Sequence, residues 1–289
     1  MCKLSSEETT VCLFADDTKV YSTNQKDLQQ VLNDIVLFFQ DRQLRLAPDK
    51  CEYLRINAMG TINNDFSPCI NGNPLPRAGA VKDLGVIISS DLKWHQQINT
   101  LKKRGCSRSY HILKSFHSKN IWTLLKAFNT FVRPILEYAS QIWSPYLKED
   151  VKAIESVQRS FTKKICRRCN IPNRSYADRL AKLNIRSLEY RRLENDITMV
   201  YKIIHKLVDL PFDRMFEFYK SPYETRRHKY HLKLESYNYL AYKHTFANRA
   251  ARVWNDLPAE LVSTSPFLAF KKRLKSFDLT TVHRFTDFN

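Results

Sequence analysis

From Trp94 almost to the end of the chain, apolar residues recur at helical spacing, and this constrains the fold more than any other feature. Ile121, Leu124, Leu125, Phe128, Phe131, Val132 and Ile135 make one stripe, interrupted at Pro134. Val151, Ile154, Val157, Phe161 and Ile165 make a second. Leu193, Ile197, Val200, Tyr201, Ile204, Leu207 and Val208 make a third, longer one. Residues three and four apart share a helix face, so each stripe is the buried side of an amphipathic helix. Several such helices must cover one another's apolar faces, which predicts a helical region with its own core. Near the end, Ser265 before Pro266 reads as a helix start, a capping hydroxyl followed by proline at the first helical position. Phe267, Phe270, Leu274 and Phe277 then follow on one face. Residues 211–240 are rich in Tyr, Arg, His and Pro without periodicity and read as a loop or linker. No internal repeat is present.

Before Trp94 the pattern is mixed. Residues 25–42 place Leu28, Val31, Leu32, Ile35, Phe38 and Phe39 on one helical face, and Pro48 ends that region. Residues 51–90 hold short runs broken by Asn71-Gly72-Asn73-Pro74 and by Pro76, which predicts strands and turns. Further upstream, Val11-Cys12-Leu13-Phe14 and Thr18-Lys19-Val20-Tyr21 are short β-prone runs flanking Asp16 and Asp17. They predict a hairpin with an acidic turn. Hard carboxylate oxygens of this kind hold Mg²⁺, and two-metal phosphoryl-transfer sites are built around them. A solvated Asp-Asp turn is the plain alternative. The expected class is α+β, mostly α.

Net charge is +18, from 47 Lys and Arg against 29 Asp and Glu, and the excess is spread along the chain. An anionic partner is expected, nucleic acid before a membrane surface. No run of about 18 apolar residues is available to span a bilayer, and Met1-Cys2-Lys3-Leu4-Ser5-Ser6-Glu7-Glu8 lacks the apolar stretch of a signal peptide. Seven cysteines without a framework fit reduced thiols, hence an intracellular setting, nucleus or cytoplasm. Cys166 and Cys169 form a lone C-x-x-C, and no second pair supplies the four ligands of a zinc site.

The blocks together carry a resemblance. Phe14-Ala15-Asp16-Asp17-Thr18-Lys19-Val20-Tyr21 resembles the core acidic motif of reverse transcriptases in the form carried by non-LTR retrotransposons. Lys50-Cys51-Glu52-Tyr53-Leu54 resembles the lysine-centred motif that follows it. Leu84-Gly85-Val86-Ile87-Ile88 with Asp91-Leu92-Lys93-Trp94 resembles the primer-grip hairpin and the start of the thumb. Phe131 to Ala139 and Ile142-Trp143-Ser144-Pro145 resemble the thumb segment of jockey-like elements. Arg249 to Pro258 and Phe270 to Leu274 resemble the end of the same reading frames. The likeness runs through nearly the whole chain in order.

That resemblance implies a partial polymerase palm over residues 1–93, thumb-like helices over 94–150, and a basic helical C-terminal region over 151–289. The parent reaction is RNA-templated DNA synthesis with Mg²⁺, on an RNA template and a DNA primer. Asp16 would be a metal ligand, Asp17 an auxiliary one, and Lys50 a candidate general acid for the departing pyrophosphate, with a solvated lysine as the alternative. Residues Lys82-Asp83-Leu84-Gly85-Val86 would steady the primer end, Gly85 allowing close backbone approach. The family's upstream metal-binding Asp strand and its fingers have no counterpart before Phe14. The D-x-x-x-x-[FY] spacing at Asp34, Asp196 and Asp213 falls outside any strand signal. The isolated chain is therefore expected to be inactive unless another polypeptide segment supplies the rest of the polymerase. Lys102, Lys103, Arg104 and Arg108, then Lys152, Arg159, Lys163, Lys164, Arg167 and Arg168, are the candidate nucleic-acid contacts. Arg226, Arg227, His228 and Lys229 sit beside Tyr223 and Tyr230 in the aromatic-rich stretch. Cations contact phosphates and aromatic rings stack on unpaired bases. A non-catalytic RNA- or DNA-binding remnant and a decayed reading frame are the competing readings.

Overall fold

A computed structural model describes residues 8–56, 66–172, 175–220, 228–236 and 240–288, apart from the side chains of 240 and 241. The chain divides into two compact units, Met1–Lys93 and Trp94–Asn289.

In the first unit, β1 (Thr9–Phe14) and β2 (Asp17–Ser22) form an antiparallel hairpin running from Thr9↔Ser22 to Phe14↔Asp17. Helix α1 (Gln25–Asp41) follows at once, because the Asn24 side chain accepts from the N–H groups of Lys26 and Asp27 at 3.0 and 3.4 Å. Its buried residues, Val31, Ile35 and Val36, fall within the predicted span. Strand β3 (Tyr53–Leu54) pairs in parallel with β6 (Arg77–Ala78), and β4 (Cys69–Ile70) pairs antiparallel with β5 (Asn73–Pro74). The β4–β5 turn is the Asn71-Gly72 pair, with φ of 51° and 76°, the mirror-image geometry that matches strand twist. Strands β7 (Ala80–Asp83) and β8 (Val86–Ser89) close a third hairpin through Leu84 and Gly85. Val36, Ile70 and Leu75 form one small apolar cluster with Leu46, Cys51 and Tyr53 packed around them, and Val31, Ile35 and Val86 are buried as well. A side-chain amide supplements it. Gln29 Nε2 donates to the Cys69 carbonyl and Cys69 N–H donates to Gln29 Oε1, both at 2.8 Å, so the amide acts as a strand partner for β4.

The second unit is helical: α2 (His95–Ser115), α3 (Ile121–Phe131), α4 (Arg133–Glu137), α5 (Ser140–Trp143), α6 (Lys148–Arg168), α7 (Tyr176–Lys182), α8 (Leu188–Ile204), α9 (Leu240–Lys243), α10 (Phe246–Asn255), α11 (Ala259–Val262) and α12 (Phe267–Ser276). Helices α2 and α6 lie side by side and point the same way. At their N-terminal ends His95 Nδ1 is 2.5 Å from Asp150 Oδ1. At their C-terminal ends Arg168 donates to the Leu113 and Phe116 carbonyls at 2.6 and 2.7 Å. Close approach is possible at Gly105, where a Cβ would come within 2.9 Å of Leu136 and 3.1 Å of Val157. A second cluster joins α8, α10 and α12 through Ile197, Val200, Tyr201, Trp254, Phe270 and Leu274.

Three boundaries differ from the sequence reading. Helix α8 stops at Ile204, so Leu207 and Val208 lie beyond it. Lys206 takes φ 53°, and the N–H groups of Lys206 and Leu207 return to the carbonyls of Ile203 and Lys202, a C-terminal cap that turns the chain away. Helix α12 begins at Phe267 with Pro266 at the cap position, and the Ser265 hydroxyl makes no capping bond; the N–H groups of Ala269 and Phe270 go instead to the Pro266 carbonyl. The stretch expected as a linker contains ordered pieces. Leu232 bridges to Phe218, and its N–H and carbonyl are both bonded to the Asn255 side chain, at 2.8 and 2.7 Å. Phe216 and Leu232 are buried in the α8–α10–α12 cluster.

Candidate functional site

The acidic motif folds as a tight hairpin. Phe14 and Asp17 are the last paired residues, leaving Ala15 and Asp16 as a two-residue loop with Ala15 at φ 53°. Asp16 and Asp17 are both exposed at this tip. Side chains alternate along a strand, so Asp17, Lys19 and Tyr21 share one face of β2. Lys19 is ion-paired with Asp83, the last residue of β7 before the Leu84-Gly85 turn. That pair ties the acidic hairpin to the β7–β8 hairpin. The hydrogen bond that Lys19 donates to Asp83 is the largest influence holding the ammonium above its ordinary value, and Asp17 adds a weaker pull. Burial, reinforced by Asp83, pushes the Tyr21 phenol up.

Gly85 has φ 88° and Leu84 44°, so the β7–β8 turn needs a residue without a Cβ penalty at its second position. The turn itself thus accounts for glycine here. Lys50 closes a short 3₁₀ turn, Pro48–Lys50, and is exposed; no hydrogen bond or ion pair joins it to Asp16 or Asp17 among the described residues. A hexacoordinate Mg²⁺ takes its protein ligands from more than one carboxylate element in a two-metal site. Among the described residues no group of three or more His, Cys, Asp or Glu is placed to hold a metal. The Asp16-Asp17 tip on its own therefore does not fit a resident two-metal centre, and no catalytic step is derived through Mg²⁺.

The basic candidates fall on the two parallel helices. On α2, Lys103, Arg104 and Arg108 are exposed and Lys102 is half-buried. Arg104 and Arg108, four apart, share a stripe, whereas Lys103 aligns with the exposed Tyr110 and with Lys114. On α6, Lys152, Arg159 and Lys163 form one exposed stripe; Lys164 and Arg167, with Ser160, form another beside α2. Lys164 shares a shallow inter-helix pocket with Cys106, Ser109 and Ser160. Arg159 reaches over the Tyr176 ring, 6.0 Å from its centroid. Arg168 is different: its guanidinium is spent on the α2 carbonyls, a structural use. Burial raises the Cys166 and Cys169 thiols. Tyr223, Arg226 and Arg227 lie outside the described residues; His228 is buried, and the Lys229 ammonium is 4.8 Å from the centroid of the Tyr230 ring.

Three polar groupings escaped the sequence reading. Lys19 and Asp83 each stand inside a quoted motif, but their pairing is a tertiary fact with no local signal. Inside the helical unit, Glu155 accepts from the Tyr176 hydroxyl at 2.5 Å and from the Leu188 N–H at 2.9 Å, next to the wholly buried Arg192. Asp196, one of the spacing matches, is buried and bonded by Arg249 Nε at 2.8 Å.

Residues 1–101 match the family of reverse transcriptase (RNA-dependent DNA polymerase), so this N-terminal segment is similar to reverse transcriptases. One relative, the "Uncharacterized protein B0403.1" of Caenorhabditis elegans, is 26% identical over 124 residues, 43% of this chain and 63% of that protein. The chain thus spans less than two thirds of that relative's length. No solved structure matches the chain. Among the described residues, no helix is long and apolar enough to cross a membrane.

Proposed function

We propose that this chain is part of an RNA-directed DNA polymerase of the non-LTR retrotransposon type. The first unit would be palm, presenting the Asp16-Asp17 turn and the β7–β8 hairpin. The second unit would hold the template and primer through the exposed cations of α2 and α6. The observation that carries this reading is the reverse-transcriptase match over residues 1–101, in which both aspartates stand exposed at a hairpin tip. Catalysis would need a further carboxylate-bearing element beyond the described residues, so the chain by itself is expected to bind nucleic acid without extending a primer.

The test is binding of an RNA–DNA primer–template to the full chain, followed by fluorescence anisotropy across a salt series. Affinity should fall steeply with salt. Replacing Lys163, Lys164 and Arg167 with Ala should flatten the log–log slope by roughly 0.7 to 0.9 for each phosphate no longer neutralised. Affinity independent of salt would refute the reading, and primer extension abolished by Asp16→Ala would refute the expected inactivity. A non-catalytic binding module, favoured by the same exposed cations, predicts no dependence on Asp16 and Asp17 even when an upstream polymerase segment is added.

A further inference from the structure

Among the ion pairs of the first unit, Lys19–Asp83 joins two elements that no backbone ladder connects. The β1–β2 and β7–β8 hairpins belong to separate two-stranded sheets. The ion pair is therefore a side-chain link between the two sheets. The apolar cluster of Val36, Ile70 and Leu75 draws on α1, β4 and the segment after β5 and includes neither hairpin, while Val86 at the start of β8 is buried outside it. Lys19 lies two residues from Asp17 on the same strand face, and Asp83 immediately precedes the Leu84-Gly85 turn. Both side chains are about one fifth exposed, at 23% and 21%, which shields the pair from full solvent screening.

We propose that Lys19 and Asp83 are positioning residues, an ionic latch that fixes the Leu84-Gly85 turn at a set distance from the Asp16-Asp17 tip, so that a primer end seated on one turn is presented to the other. This rests on the polymerase reading above. The latch has a second consequence. Asp83 engages the Lys19 ammonium and keeps it from folding back onto Asp17, its neighbour on the same face. Lys19 touches no reacting atom; it acts through the hairpin it anchors.

The experiment uses the full chain and a primer–template carrying 2-aminopurine at the primer 3′ terminus and a separate dye at the far end of the duplex. The dye reports overall affinity, and the fluorescent base reports whether the 3′ end is seated. Lys19→Met and Asp83→Asn should each reduce the seated fraction by up to about fivefold, the range a partly exposed ion pair supplies. Overall affinity should change by less than about twofold, because the phosphate contacts lie elsewhere. The double exchange Lys19→Asp with Asp83→Lys should restore the base signal, and Lys19→Arg should retain it, which also separates loss of the latch from loss of the fold. A base signal indifferent to both single variants, or not recovered by the exchange, overturns the latch while leaving the polymerase reading intact. No binding of the primer–template by the unaltered chain overturns both.

Discussion

Replacing Glu155 with Ala should cost the helical unit about 3 to 5 kcal/mol, a large share of what holds a domain together. Glu155 is 1% exposed and sits where three helices meet. Its carboxylate accepts from the Leu188 N–H, at 2.9 and 3.2 Å, in the first turn of α8, whose leading N–H groups have no partner within the helix. It also accepts from the Tyr176 hydroxyl of α7 at 2.5 Å. Removing it leaves both donors buried without an acceptor, about 1 to 3 kcal/mol each. Arg192, 2% exposed, loses the carboxylate that contributes most to holding its charge in the interior.

The counterpart variant tests the cause. Burial pushes the Glu155 carboxyl up, with Tyr176, Arg192 and the Leu188 N–H pulling the other way. A neutral side chain of the same shape is therefore tolerable. Glu155→Gln retains one acceptor oxygen and should cost about 1 to 2 kcal/mol. The assay is urea unfolding followed by tryptophan fluorescence. All four tryptophans, at positions 94, 122, 143 and 254, lie in Trp94–Asn289, so the signal reports this unit alone. A loss under about 1 kcal/mol for Glu155→Ala, or an equal loss for the Gln variant, would refute the assignment of Glu155 as the hydrogen-bonded hub of α6, α7 and α8.

Two further outcomes are expected. Burial is the leading cause lowering His205, His228, His244 and His283 below the ordinary 6.5, so these rings fold neutral. The unfolded chain then binds protons that the fold refuses, which makes their stability contribution complete above pH 6.5 and progressively lost below it; urea midpoints should fall as pH drops from about 7.5 to 5.5, and a flat profile would count against neutral rings in the fold. Asn120 caps α3 by accepting from the N–H groups of Trp122 and Thr123 at 2.9 and 3.2 Å, so Asn120→Ala should lower stability by about 1 kcal/mol in the same fluorescence assay, whereas Asn120→Asp should be nearly neutral.

What was legible in the sequence follows from how local each cause is. The stripes of α6 and α8 were readable because one period decides which residues face inward: Val151, Ile154, Val157, Phe161 and Ile165 are all buried. The Asn71-Gly72 turn was readable because positive φ selects for those two residues. Leu207 and Val208 were misread since periodicity carries no information about the Lys206 cap that stops the helix. Residues 211–240 lacked a period, yet Leu232 is buried because the Asn255 side chain satisfies its backbone and Phe218 bridges to it; such a segment is held by long-range bonds that no window reveals. The acidic tip was read from composition and spacing, and its tie to the β7–β8 hairpin was not. Arg168 looked like the other exposed cations of α6 until its bonds to the α2 carbonyls gave it a structural task.

The two units solve the same problem with different means. The helical unit buries Trp143, Trp254, Phe128, Phe161 and Phe270 almost completely, together with polar groups such as Glu155, Arg192 and Asp196. The unit with the acidic turn leaves Leu13, Phe14, Tyr21, Leu37, Leu44 and Ile56 more than half exposed. Where less apolar surface is covered, non-directional burial does less to define the relation of one hairpin to another. Directional bonds take over: the Gln29 amide on β4, the Asn24 cap on α1, and Lys19 on Asp83. Each is short-range and angle-dependent, so each fixes geometry more than it adds stability. A carboxylate pair serves phosphoryl transfer only if its distance to the bound strand is held within a fraction of an ångström. The Lys19–Asp83 pair joins the acidic hairpin to the β7–β8 hairpin, whose Val86 is buried, so under the proposed polymerase function removal of the pair should be felt at the primer end before it is felt in the melting curve.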